Sequence, residues 1–175
     1  MSKYSFTLDS FKNIQDLIRF MDQKSSAILV IFGFILTAFV NNASKLHFVN
    51  PFLMSPWNGF LSSLTLLVGV ATLALLLYKI RIIINQILKP RVAKHYLPEH
   101  HSLFYYGHIK LMEKERYLEE VGNMPDQQAE QEIAAQVYEV SQILFSKTES
   151  LNKVMSRMFY LIGLLLMFIF LTQLV

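Results

Sequence analysis

The chain has 175 residues, 53% of them hydrophobic and only 17% charged, more apolar surface than a soluble helical domain of this length can bury, so the excess belongs in lipid. The formal net charge of +3 is modest, and the absence of cysteine removes disulfides, thiolate nucleophiles and sulfur-ligated metals.

Residues 1–24 carry Phe11, Ile14, Leu17, Ile18 and Met21 at helical spacing, which predicts an amphipathic helix starting near Ser10. Asp9, Asp16 and Asp22 within it do not fit a cleaved signal peptide. Its first turns suit an interfacial anchor, with Lys12 and Arg19 against anionic lipid, or a subunit contact. Residues 25–46 form the first expected span, with Lys24 snorkelling at its start. Residues 47–56, holding Pro51 and Pro56, are an expected extracytoplasmic loop, and Trp57 is an interfacial anchor.

The second span covers 57–78, and its apolar pattern continues to Leu88, so the helix is expected to project as a rod until Pro90. Residues 79–157 then form a helical region: a helix from Ser102 to Val121 with Leu103, Tyr106, Ile109 and Leu118 inward, a turn at Gly122, Asn123 and Pro125, and a helix from Asp126. Ile133, Val137, Val140, Ile143 or Leu144, Leu151 and Val154 mark its apolar side, and no breaker separates it from the third span, 158–175. The expected fold class is an all-α membrane protein, with three transmembrane helices and a cytoplasmic helical hairpin continuous with the second and third.

Sidedness follows from charge. Four Lys and Arg precede the first span, one, Lys45, lies at its far end, eleven lie between second and third, and none follows. The positive-inside rule puts the N-terminus and the 79–157 segment in the cytoplasm and the C-terminus outside.

Within the spans, Ser62, Thr65, Gly69 and Thr72 share one face of the second helix, and Ser26, Gly33, Thr37 and Asn41 form a comparable stripe on the first. Such stripes serve tight helix packing or line a water-filled path. Three spans cannot enclose a pore alone, so lining requires a homo-oligomer, with one striped helix inward and the smooth third helix toward lipid. Thr37, Asn41, Ser62, Thr65, Gly69 and Thr72 are the candidate lining residues. Asp22 and Lys24 sit at the cytoplasmic mouth of the first span, as boundary markers, an intersubunit salt bridge or a ring of Asp22 in an oligomer.

No nucleotide-fold loop, nucleophile elbow or paired-histidine metalloprotease motif occurs, so no catalytic residues are assigned, and neither a cofactor nor a metal is called for. Glu113, Glu115, Glu119 and Glu120, interleaved with Lys114 and Arg116, read as a solvated face, and His95, His100, His101 and His108 as surface imidazoles. Cations mixed with aromatics after the second span suit a nucleotide or short single strand, since phosphates need cations and bases stack on rings; contact with anionic lipid is the plainer use of the same cations. The signal-binding candidates are Lys89, Arg91, Lys94, Tyr105, Tyr106, His108, Lys110 and Lys147.

Three blocks carry a family resemblance: Ile18-Arg19-Phe20-Met21-Asp22-Gln23-Lys24-Ser25-Ser26-Ala27, Ser102-Leu103-Phe104-Tyr105-Tyr106-Gly107-His108-Ile109, and Val137-Tyr138-Glu139-Val140-Ser141-Gln142-Ile143-Leu144-Phe145-Ser146-Lys147. The chain resembles, nearly end to end, the transmembrane effectors of Pycsar antiphage defence and related membrane effectors such as that of Hailong. Met21 and Gln23 depart from the small or polar residues expected beside Asp22 and Lys24; Asp22, Lys24, Tyr105, Gly107 and Lys147 match the blocks. The resemblance implies a bacterial inner-membrane effector, partnered with a nucleotidyltransferase or cyclase that makes a nucleotide or oligonucleotide signal. Together with the polar stripes it leads to the expectation of an ion channel, a homo-oligomer and most simply a tetramer, that depolarises the membrane and arrests growth. The alternative is a non-conducting scaffold that recruits a partner protein.

Overall fold

The computed structural model describes residues 3–46, 55–90 and 102–175, and all regular structure among them is helical. Helix α1 spans Lys3–Ala43, α2 Pro56–Ile82, α3 Tyr106–Ile109, α4 Lys114–Gly122, α5 Asp126–Met155 and α6 Met158–Thr172. Segments 4–43, 56–88 and 126–172 each contain a stretch long and apolar enough to cross a membrane. The expected loop at 47–56 lies largely outside the described residues. The chain divides into two compact units: residues 1–22 with 90–148, and residues 23–89 with 149–175.

In the second unit, α2 begins where Ser55 accepts the Asn58 N–H at 3.5 Å and Pro56 takes the first helical position, where its missing N–H costs nothing. The helix does run to Pro90, but its last turn, Ile83–Leu88, is widened to a π-helix that ends with the Lys89 N–H on the Ile84 carbonyl at 3.0 Å. Lys89 is extended at φ −62° and ψ 128°, as the ring of Pro90 demands of the residue before it.

The core of this unit joins all three spans: Phe39, Val68, Leu165, Phe168 and Leu171 are buried together. The rings of Phe39 and Phe168 stack at 4.7 Å, and a Cβ on Gly69 would stand 2.8 Å from Phe168 Cε2. Gly69 is therefore what lets α2 approach α6. Lipid tails are as apolar as leucine, so this close fit, rather than exclusion of water, favours association. Around it Phe34, Leu67, Val70, Phe159, Leu166 and Phe170 are exposed, an apolar surface suited to hydrocarbon. Helix α6 is thus not uniformly lipid-facing, because Leu161, Leu165, Phe168 and Leu171 form a packed edge.

Two expectations on helix continuity are corrected. Helix α1 starts at Lys3 rather than near Ser10, because nothing from Lys3 to Asp9 breaks the pattern. The helix from Asp126 does not run unbroken into the third span: it stops at Met155 and restarts at Met158, with Arg157 at φ −118° and ψ 21° between them.

In the first unit the expected helix Ser102–Val121 is two helices. Ser102 to Tyr105 form a side-chain-capped turn, and α3 closes through short bonds from Leu111 to His108 and Met112 to Ile109 before α4 begins. Leu103 is buried as expected, but Tyr106 and Leu118 are exposed, since the register of one long helix no longer applies. Ile133 on α5 is buried, yet Glu132, Gln136, Glu139 and Lys147 are buried on the same helix. This face of α5 is polar and enclosed.

Candidate functional site

Ser102 organises the first unit. Its hydroxyl donates to Glu132 Oε2 at 2.7 Å and accepts the N–H groups of Phe104 at 3.2 Å and Tyr105 at 3.3 Å. Its own N–H donates to His108 Nδ1 at 3.0 Å, which fixes that nitrogen as an acceptor and leaves the neutral ring's proton on Nε2. The Tyr105 ring meets Tyr106 at 5.1 Å and His108 at 5.0 Å, both edge-on. A Cβ on Gly107 would lie 2.5 Å from Tyr105 Cε1, so glycine makes room for that ring. The block from Ser102 to Ile109 is a folded knot rather than a row of free aromatics; Phe104 and Tyr106 show their faces to solvent, while Tyr105 is enclosed.

Lys147 lies elsewhere on α5 and pairs with Asp22 of α1: Nζ to Oδ1 is 2.6 Å, with the lysine side chain 6% and the aspartate 37% exposed. A mouth candidate and a signal candidate are thus partners in one ion pair. Lys24 is exposed. Of the remaining signal candidates, Lys110 is exposed in the first unit and Lys89 is exposed at the end of the second, while Arg91 and Lys94, like His95, His100 and His101, lie outside the described residues. Among the described candidates, the structure brings together Tyr105, Tyr106 and His108 as a cluster, and Lys147 with Asp22.

The stripes of the second unit fare differently. Thr65, Gly69 and Thr72 are buried and Ser62 partly so, on the side of α2 that faces Phe168 of α6. Thr65 and Thr72 donate to the Leu61 and Val68 carbonyls at 2.8 and 2.7 Å, which satisfies their hydroxyls within the helix. On α1, Thr37 and Asn41 are exposed, the Thr37 hydroxyl donates to the Gly33 carbonyl at 3.0 Å, and nothing lies within 4 Å of a Cβ on Gly33.

Sequence reasoning missed the Ser102–Glu132 bond and the buried run Glu132, Gln136, Glu139 and Lys147. Its one available signal was their spacing of four, three and eight residues along α5. The cleft at the start of α5, lined by Leu103, Arg116, Glu119, Glu120, Asn123, Met124 and Gln128, is acidic overall, and Arg116 is held by Glu120 at 2.7 Å. It is a poor seat for a phosphate.

An all-α chain whose three long apolar helices share one core is, as a class, a multi-span membrane protein. More particularly, the chain belongs to the family of the Pycsar effector protein domain, which matches residues 6–175. That membership makes it an antiphage-defence membrane effector rather than a member of a known enzyme family, and implies a cyclic-nucleotide signal from a partner cyclase. No curated protein and no solved structure matches the chain.

Proposed function

We propose that this effector is a homo-oligomeric ion channel of the bacterial inner membrane, with its N-terminus in the cytoplasm and its C-terminus outside. A nucleotide or oligonucleotide made by a partner cyclase or nucleotidyltransferase gates it, and conduction depolarises the membrane and arrests growth. The observation that carries this reading is the division of labour between the two polar stripes. The α2 stripe is used up in packing against α6, while Thr37 and Asn41 on α1 remain on the protomer's surface, available to line a path between copies. A tetramer is the simplest ring.

The signal is received by the first unit. Phe104 and Tyr106 offer exposed rings for a base, and Lys110 a cation for phosphate. Arg91 and Lys94 add cations in the same stretch of sequence. The Asp22–Lys147 pair ties α5 of that unit to α1, the helix that carries the lining residues, so a ligand that favours one arrangement of α5 biases α1.

The test is ion flux from vesicles containing the purified protein. Cyclic pyrimidine mononucleotides and short DNA oligomers are supplied separately, so the result also distinguishes the Pycsar type of signal from the Hailong type. Flux that depends on one of them and falls at least several-fold in Thr37→Leu supports the channel. Vesicles that stay tight with every signal, at every protein density, overturn it and leave the scaffold.

A further inference from the structure

Lys79 lies where α2 meets the end of α5, and its side chain is almost wholly buried, with 2% of the residue exposed. A buried amino group requires an acceptor. Its Nζ donates to the Val154 carbonyl at 2.6 Å, across 75 residues of sequence.

That carbonyl is the one the Met158 N–H would take in an unbroken helix. The helix is interrupted by the turn at Ser156–Arg157, flanked by the Ser156 N–H on the Asn152 carbonyl, at 2.9 Å, and the Leu161 N–H on the Arg157 carbonyl, at 3.4 Å. A helix end leaves its last carbonyls without intrahelical donors. Here they are supplied in order: Asn152 by the Ser156 N–H, Lys153 by the Ser156 hydroxyl at 3.2 Å, and Val154 by Lys79. A cation at a helix C-terminus is also favoured by the helix dipole. Ile82, Ile83, Ile87, Leu151 and Val154 are buried around the cap, and the Ser150 hydroxyl donates to Gln86 Oε1 at 3.2 Å.

We propose that Lys79 is a capping residue supplied in trans by α2, which holds the third apolar segment broken at Ser156–Arg157 and so sets α6 apart from α5 as a separately oriented helix. Without the cap, the turn at Ser156–Arg157 closes into helix and α5 and α6 join. This inference is independent of whether the protein conducts.

The cysteine-free chain allows nitroxide labels at Glu149→Cys and Phe170→Cys, both exposed positions, in protein reconstituted in vesicles. In Lys79→Met, which keeps the bulk and loses the donor, the label distance is expected to leave that of the parent and move toward the roughly 31 Å rise of 21 helical residues. Lys79→Arg and Ser150→Ala are expected to keep the parent distance. An unchanged distance in Lys79→Met, or an equal shift in Ser150→Ala, overturns the proposal. A second measurement needs no substitution at Lys79: in protein labelled with ¹⁵N at lysine Nζ and ¹³C at valine carbonyls, solid-state NMR is expected to correlate Lys79 with Val154. Absence of that correlation in folded protein overturns the proposal as well.

Discussion

A methyl group added at Gly107 would meet Tyr105 Cε1 at 2.5 Å and Cζ at 2.8 Å. The ring has little room to withdraw, because Tyr106 and His108 stand at its edges and His108 is tied to the Ser102 N–H. Gly107→Ala is expected to destabilise the protein by about 1–3 kcal/mol through overpacking, seen as a lower midpoint of thermal unfolding. Gly33→Ala and Gly163→Ala place their methyls in open space and are expected to stay within about 0.5 kcal/mol of the parent. The Asp22–Lys147 pair should respond asymmetrically. Asp22→Ala strands an ammonium that is 6% exposed, at a cost of about 1–3 kcal/mol. Lys147→Met leaves a carboxylate that is 37% exposed and can turn to water, at a cost below about 1 kcal/mol. Equal losses in the same unfolding measurement would mean that the lysine is not enclosed as described.

The turn before α3 depends on a single hydroxyl. Ser102→Ala removes the donor to Glu132 and the acceptor of two backbone N–H groups, and Ser102→Thr can keep all three bonds. The alanine variant is expected to lose about 1–3 kcal/mol and to exchange amide hydrogen faster through 102–122, with the threonine variant close to the parent. Unchanged exchange in Ser102→Ala would remove the hydroxyl from its organising place. This bond also shows why part of the fold was hidden in the sequence. The three apolar segments could be read directly, because a run such as Trp57–Tyr78 has no soluble alternative, and Pro90 marked the end of the second helix as it had to. The division of 102–121 into two helices could not be read, because Tyr106, Ile109 and Leu118 fit one helical repeat and the residue that breaks it, Ser102, takes its partner 30 positions away. The enclosed Glu132, Gln136 and Glu139 were missed for a related reason: charges at helical spacing ordinarily mark a solvated face, and only tertiary packing reverses that. The break at Ser156–Arg157 was invisible because neither glycine nor proline makes it.

For the whole molecule, the question is which surfaces of one protomer meet water, other copies or lipid. Thr65 and Thr72 are enclosed and bonded within their own helix, so they need nothing outside the protomer. Thr37 is likewise satisfied internally, by the Gly33 carbonyl, yet stands at the surface beside an open Gly33. Leu166 and Phe170 are exposed on the apolar surface of α6. Because the chain has no native cysteine, single cysteines can report these environments one at a time. In the proposed open channel, Thr37→Cys and Asn41→Cys are expected to react with a charged, water-soluble thiol reagent and to lose flux as they do. Thr72→Cys should react at least about tenfold more slowly, since a tenfold rate ratio corresponds to an opening cost of only about 1.4 kcal/mol, less than the cost of displacing packed neighbours. Leu166→Cys and Phe170→Cys should not react, because the charged reagent does not enter hydrocarbon. Thr37→Cys reacting no faster than Leu166→Cys, in vesicles where the signal has been supplied, would place α1 against lipid or protein and remove it from any conducting path. Reaction at Thr72→Cys with Thr37→Cys protected would instead mean that α2 turns its packed face to water when the effector is active, and that the arrangement described here is the resting one.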